Sequence, residues 1–120
     1  MNSHERLEAW QAAHQLVLLL YRTTRSFPAE ERYGLTSQIR RAAFAVAANI
    51  AEGAAKRGPR EFRRYLDIAV GSMAELTYAL RVVHDLELIT NNQWQDVETQ
   101  RDRVSRLTWR LYVSIRDARV

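Results

Sequence analysis

Apolar residues recur at intervals of three and four in four separate stretches of the chain, and no stretch shows the strict alternation of a half-buried strand. The first stretch carries Leu7, Trp10, His14, Val17, Tyr21 and Thr24 at helical spacing, which predicts a helix from residue 4 to about 26 with Ser3 as candidate N-cap. Phe27-Pro28 closes it, because the residue before a proline is pushed out of the α region. A loop containing Gly34 leads to Thr36, the candidate cap of a second helix over 36–55. Pro59 suits the first turn of a third helix, 59–88, where its missing N–H costs nothing. Thr90 or Asn91 then caps a fourth helix, 91–118, whose apolar stripe is Trp94, Val97, Val104, Thr108, Leu111 and Ile115. Its acids Asp96 and Glu98 stand early and Arg110, Arg116 and Arg119 late, in keeping with the helix dipole. Four helices on short or modest connections predict an all-α, up-down-up-down four-helix bundle forming one domain over residues 1–120.

Two of these helices are apolar on more than one side. In the second, Ile39, Ala43, Val46 and Ile50 share one face, while Phe44, Ala48 and Ala51 lie on roughly the opposite one. The third has a heptad seam, Phe62, Leu66, Ala69, Met73, Leu76, Leu80 and Val83, suited to knobs-into-holes packing. Beside that seam run Tyr65, Ile68, Ser72, Ala79 and Val82, so its apolar arc exceeds the roughly 100° of a simple surface helix. Gly71, off the seam in a helix interior, costs about 1 kcal/mol relative to alanine and implies a close backbone approach. These patterns predict that Phe44, Ala48, Ala51, Ile68, Gly71 and Val82 pack against another subunit, making the bundle oligomeric. The simpler alternative is that alanine-rich surface is merely tolerated.

Charge changes the picture at one place. The net charge is +4, and the nine residues from Lys56 to Arg64 alone sum to +4, leaving 13 basic and 13 acidic residues to cancel elsewhere. Seventeen of the eighteen basic residues are arginine, whose planar fork pairs bidentately with phosphate or carboxylate. Cations in the first turn of a helix oppose its dipole, so Arg60, Arg63 and Arg64 are not there to stabilise the third helix. With Lys56 and Arg57 they form a candidate phosphate-contacting surface for nucleic acid. The competing reading is a solvated turn in which Glu61 and Asp67 pair with neighbouring arginines.

Other chemistry is sparse. Without cysteine the chain has no disulfides, thiolate metal sites or cysteine nucleophiles. His84-Asp85 matches a dipeptide of metal-dependent phosphohydrolases, but the further histidines such sites need are not evident, and no metal or cofactor is expected. Asn49, Glu52, Ser72 and Glu75 border apolar faces. They read either as an acid/base pair, Glu52 with Glu75, or as an interhelical hydrogen-bond network that fixes register; the lack of a positioned histidine or nucleophile favours the network. The N-terminal residues show no basic-then-apolar signal pattern, and the longest wholly apolar run, Leu16 to Tyr21, is far short of a membrane span, so a cytoplasmic protein is expected.

One combination of residues is familiar. Trp10, Ala13, Phe27-Pro28 and Gly34-Leu35-Thr36 with Gln38 and Arg40 are followed by Asn49-Ile50-Ala51-Glu52-Gly53, Arg57 and Glu61-Phe62. Tyr65-Leu66, Ile68-Ala69, Gly71-Ser72 and Glu75-Leu76 continue the series. The chain thereby resembles the bacterial four-helix-bundle family of proteins encoded by intervening sequences in 23S ribosomal RNA genes, related to the accessory variability determinant proteins of diversity-generating retroelements. That resemblance implies a left-handed bundle assembling as a ring-like homopentamer, with a basic surface that engages nucleic acid and no enzymatic activity. In the retroelement relatives the surface also serves a reverse transcriptase and its RNA. The expected function is therefore non-catalytic binding of structured RNA or DNA, mainly through phosphate, with an acidic protein partner as the alternative.

Overall fold

Helices form where the apolar periodicity places them, and the differences lie at their ends. The computed structural model describes residues 3–117; the last residue of the expected fourth helix, 118, and Arg119 lie outside them. The four helices are α1 (Glu8–Thr23), α2 (Leu35–Ala55), α3 (Gly58–Asp85) and α4 (Asn91–Arg116). Each packs on the next in sequence, and α4 returns to pack on α1, giving a rod of 49 × 25 × 24 Å.

Cross-helix contacts fix the directions. Arg40 Nε of α2 donates to Thr24 Oγ1, just past the end of α1, and His84 stacks on Trp94 across the α3–α4 turn. Gln100 Nε2 reaches from α4 to the carbonyl of Ala12 in α1. Neighbouring helices are thus antiparallel, in up-down-up-down order. The core is one cluster: Leu16 and Leu20 from α1, Ile39, Val46 and Ile50 from α2, Leu66, Leu76, Leu80 and Val83 from α3, and Val97 and Val104 from α4. The heptad seam of α3 faces inward along its whole length, with only Phe62 partly exposed.

The helix ends correct several expectations. Residues Ser3–Arg6 form a 3₁₀ turn, and Leu7 is extended (ψ 124°) so that its side chain packs on the core; α1 therefore starts at Glu8 with Leu7, not Ser3, at the N-cap. At its other end Thr23 and Thr24 hydroxyls donate back to the carbonyls of Leu19 and Leu20, and the chain tightens into a 3₁₀ turn over Thr24–Ser26. Phe27 is then extended and buried, as the following proline requires. Thr36 is not the cap of α2: Gly34 holds that position, and the Leu35 N–H is satisfied by Glu31 Oε1 at 3.1 Å. Helix α3 stops three residues early because Glu87 adopts a left-handed conformation (φ 57°), with Leu88 N–H donating to Val83 O and Glu87 N–H to His84 O. This is a Schellman ending built without glycine. Thr90 caps α4 in a reciprocal capping box with Gln93.

Candidate nucleic-acid interface

The α2–α3 turn is only two residues long. Lys56 (φ −81°, ψ 165°) and Arg57 (φ −92°, ψ 122°) are extended between the helices, and Gly58 enters α3 at φ 83°, which glycine alone adopts without strain. Two helices can meet this closely because Gly53 has no side chain. A methyl placed there would lie 3.0 Å from Tyr65 Cβ and 3.2 Å from the Phe62 carbonyl oxygen. The sequence therefore builds a rigid reversal with all five expected cations around it.

Lys56, Arg57, Arg60 and Arg64 are exposed and Arg63 is half-buried. Arg60 and Arg64 stand one turn apart on the outer face of α3. Lys56 Nζ lies 5.4 Å and the Arg64 guanidinium 4.7 Å from the centre of the Tyr65 ring, so one aromatic carries two cations. Arg64 Nε also donates to Glu61 Oε2 at 3.1 Å, and this hydrogen bond, with the carboxylate charge, raises the guanidinium pKa above its usual value. Asp67 makes no ion pair among the described residues, so Lys56, Arg57, Arg60 and Arg63 have no carboxylate partner there. The solvated-turn reading accounts for one of the five cations. Arg57 at the N-cap supplies no side-chain hydrogen bond to the start of α3, whose first N–H groups point into the same cationic corner.

The remaining expectations fare differently. Within the single chain Asn49, Glu52, Ser72 and Glu75 form no network: Asn49 Nδ2 donates to Ala45 O one turn back, and both glutamates are exposed. The hairpin explains why. Gly53 sits level with Phe62 and Tyr65, which leaves Glu52 and Glu75 roughly 15–20 Å apart along the bundle axis and rules out an intrachain acid/base pair. Of the residues expected at a subunit contact, Phe44 is 62% and Ile68 43% exposed, Ala48, Ala51 and Val82 are half-buried, and nothing lies within 4 Å of a methyl placed on Gly71. Trp10 sits between His4 and His14 with its ring parallel to the latter, and Trp109 stacks on Tyr112. Among the described residues no three of histidine, aspartate and glutamate converge as metal ligands, and no helix is long and apolar enough to cross a membrane.

Sequence reading places the net charge in one corner, whereas folding creates a second cationic region at the other end of the rod. Arg25, Arg32, Arg40 and Arg41, scattered over two helix ends and a loop with only Glu30 and Glu31 as acids between them, gather where α1 meets α2. None makes an ion pair among the described residues, and Glu31 is occupied at the start of α2. A search for local charge runs passes over this cluster. Its signal is the hairpin itself, which pairs the last turn of α1 with the first of α2.

Similar proteins agree with this architecture. A crystal structure of a protein of unknown function from the S23 ribosomal protein family, from Bacteroides thetaiotaomicron VPI-5482, superimposes with a TM-score of 0.79, covering 87% of this chain and 94% of that one. The two sequences are 19% identical, so the likeness speaks for the fold alone. No curated protein matches the sequence. The sequence itself, however, follows one family pattern from the first turn of the chain through most of α4: over residues 5–110 it matches the model of the 23S rRNA-intervening sequence proteins, and it belongs to that family.

Proposed function

We propose that this protein is a non-catalytic, self-associating helical bundle that binds structured nucleic acid, RNA in the first place, through the cations of the α2–α3 turn. The observation that carries the reading is the set of four exposed or half-exposed cations, Lys56, Arg57, Arg60 and Arg63, without a carboxylate partner among the described residues, beside a helix start that no side chain caps. Guanidinium forks and helix N-terminal N–H groups both complement phosphate. Membership of a family named for 23S rRNA intervening sequences supports RNA as the polymer.

Self-association rests on two separate outward rows, Phe44, Ala48 and Ala51 on α2 and Ile68, Gly71 and Val82 on α3. Rows on different helices can meet head to tail, and such contacts form a ring where the rotation between copies closes. Five copies, as the sequence resemblance implies, would add their fields at the basic corner. Light scattering is expected to give several times the 14.0 kDa of one chain; a single-chain mass at micromolar concentration overturns this part.

Replacing Lys56, Arg57, Arg60, Arg63 and Arg64 together by glutamine tests the function. Removing cations from the first turn of α3 relieves an unfavourable dipole interaction, so the fold is expected to survive. Retention of a structured RNA on a filter should be lost in this variant. Unchanged retention refutes the assignment, and a wild type that retains no RNA but captures an acidic protein transfers the corner to a protein partner.

A further inference from the structure

The second cationic region is not a bare charge cluster. An open groove of about 460 Å³ runs along it, walled by Tyr21, Arg32, Tyr33, Arg40 and Arg41, with Phe44 at its lower edge. A second groove of about 380 Å³ adjoins it across Arg32, Thr36 and Arg40 and reaches Arg25. Tyr33 is 89% exposed, the most exposed large hydrophobic side chain among the described residues, and it stands in the turn before α2 between Arg32 and the start of the helix. Solvent-exposed aromatic rings beside unpaired arginines are not needed by the core, to which Tyr33 contributes nothing.

Arg40 gives the groove a fixed floor. Its Nε donates to Thr24 Oγ1 at 2.9 Å, its Nη2 donates to Tyr21 O at 3.2 Å, and its guanidinium lies 4.6 Å from the centre of the Tyr21 ring. A planar cation is thus held over an aromatic ring by two hydrogen bonds, in a preorganised position. Arg32 and Arg41 are exposed on either side with no partner of opposite charge among the described residues. Aromatic faces interleaved with free guanidinium groups suit an unpaired nucleotide: the base stacks on the ring, and the flanking phosphates meet the arginines. A duplex offers no exposed base face and satisfies only the charges.

We propose that this groove, at the end of the bundle opposite the α2–α3 turn, is a single-strand site in which Tyr33 stacks an unpaired base while Arg32 and Arg41 hold its neighbouring phosphates. The inference rests on the proposed function for the identity of the polymer, but it uses none of the cations of the α2–α3 turn. A nucleic acid with a duplex stem and an unpaired segment would engage both ends of the rod. Phe44, where the outward row of α2 starts, lines the far end of this groove, about two and a half turns into the helix, whereas Tyr33 precedes the helix.

The test uses the full chain and two fluorescent probes at low salt, an oligouridylate of about ten nucleotides and a blunt RNA duplex, read by anisotropy. Tyr33→Ala should weaken oligouridylate binding at least about five-fold and leave duplex affinity unchanged, whereas Tyr33→Phe should retain the single strand. Arg32→Gln with Arg41→Gln should flatten the salt dependence of oligouridylate binding. If Tyr33→Ala leaves oligouridylate affinity unchanged, or lowers duplex and single-strand affinity alike, the stacking site is refuted. Failure of the wild type to bind oligouridylate overturns it as well. A wild type that binds oligouridylate through Tyr33 but ignores the duplex upholds this site while sinking the assignment of the α2–α3 turn, so the two fail separately.

Discussion

Gly53 sets how closely α2 and α3 approach beneath the basic corner, and enlarging it tests whether the hairpin is as tight as described. An added methyl group would sit 2.9 Å from Phe62 Cδ1, 3.0 Å from Tyr65 Cβ and 3.2 Å from the Phe62 carbonyl oxygen. Ordinary contact begins near 3.4 Å, and two of the three atoms are backbone or Cβ, so α3 must retreat by about 0.4 Å where it is least able to. Overpacking of this kind costs about 1–3 kcal/mol, and the better helix propensity of alanine returns about 1 kcal/mol. The net expectation for Gly53→Ala is a loss of about 1 kcal/mol. Gly53→Val adds two more methyl groups and recovers less propensity, and should lose about 2–3 kcal/mol. At about 4 °C per kcal/mol for a chain of this size, the midpoints should fall by about 4 °C and about 10 °C. Thermal unfolding followed by circular dichroism at one protein concentration reads both. A midpoint that rises in either variant contradicts the close approach and with it the rigid reversal that carries the cations.

Two further substitutions probe the helix ends and the core. Glu87→Gly should raise stability by about 0.5–1 kcal/mol, because it removes the left-handed strain at φ 57° at the cost of some unfolded-state entropy; a lower midpoint refutes the ending described for α3. Thr108 is 1% exposed, and its hydroxyl has no hydrogen-bond partner. Thr108→Val keeps its shape and should add about 1 kcal/mol in urea unfolding, whereas a loss would mean that the hydroxyl is satisfied in solution.

The core was legible in the sequence because periodicity encodes it directly. Leu66, Ala69, Met73, Leu76, Leu80 and Val83 repeat by fours and threes and are all buried. Helix ends were less legible, since they depend on single residues acting against type. Glu31 rather than Thr36 satisfies the first turn of α2, and Glu87 takes a conformation usually left to glycine. Arg101 is a case between the two. It falls on the inward stripe of α4 yet is tolerated because Glu98 receives its fork at 2.9 and 3.0 Å while Nη1 reaches Thr77.

Function divides in the same way. The turn from Lys56 to Arg64 is continuous in sequence, so its charge can be summed by reading along it. The groove at Tyr33 is assembled from residues as far apart as Tyr21 and Phe44, and only the antiparallel packing of α1 on α2 brings them together. Glu52 and Glu75 show the converse: similar positions on helical wheels do not imply proximity when a hairpin sets them at different heights.

Affinity for a structured RNA measured across a salt series tests the central claim most directly. Phosphate contacts from the five cations of the α2–α3 turn should make the logarithm of affinity fall linearly with the logarithm of salt, with a slope of about −4 per chain. The glutamine variant at Lys56, Arg57, Arg60, Arg63 and Arg64 should lose about that much of the slope, leaving only the contribution of the groove at Tyr33. A wild-type slope near zero, or one that the five substitutions leave intact, contradicts the account.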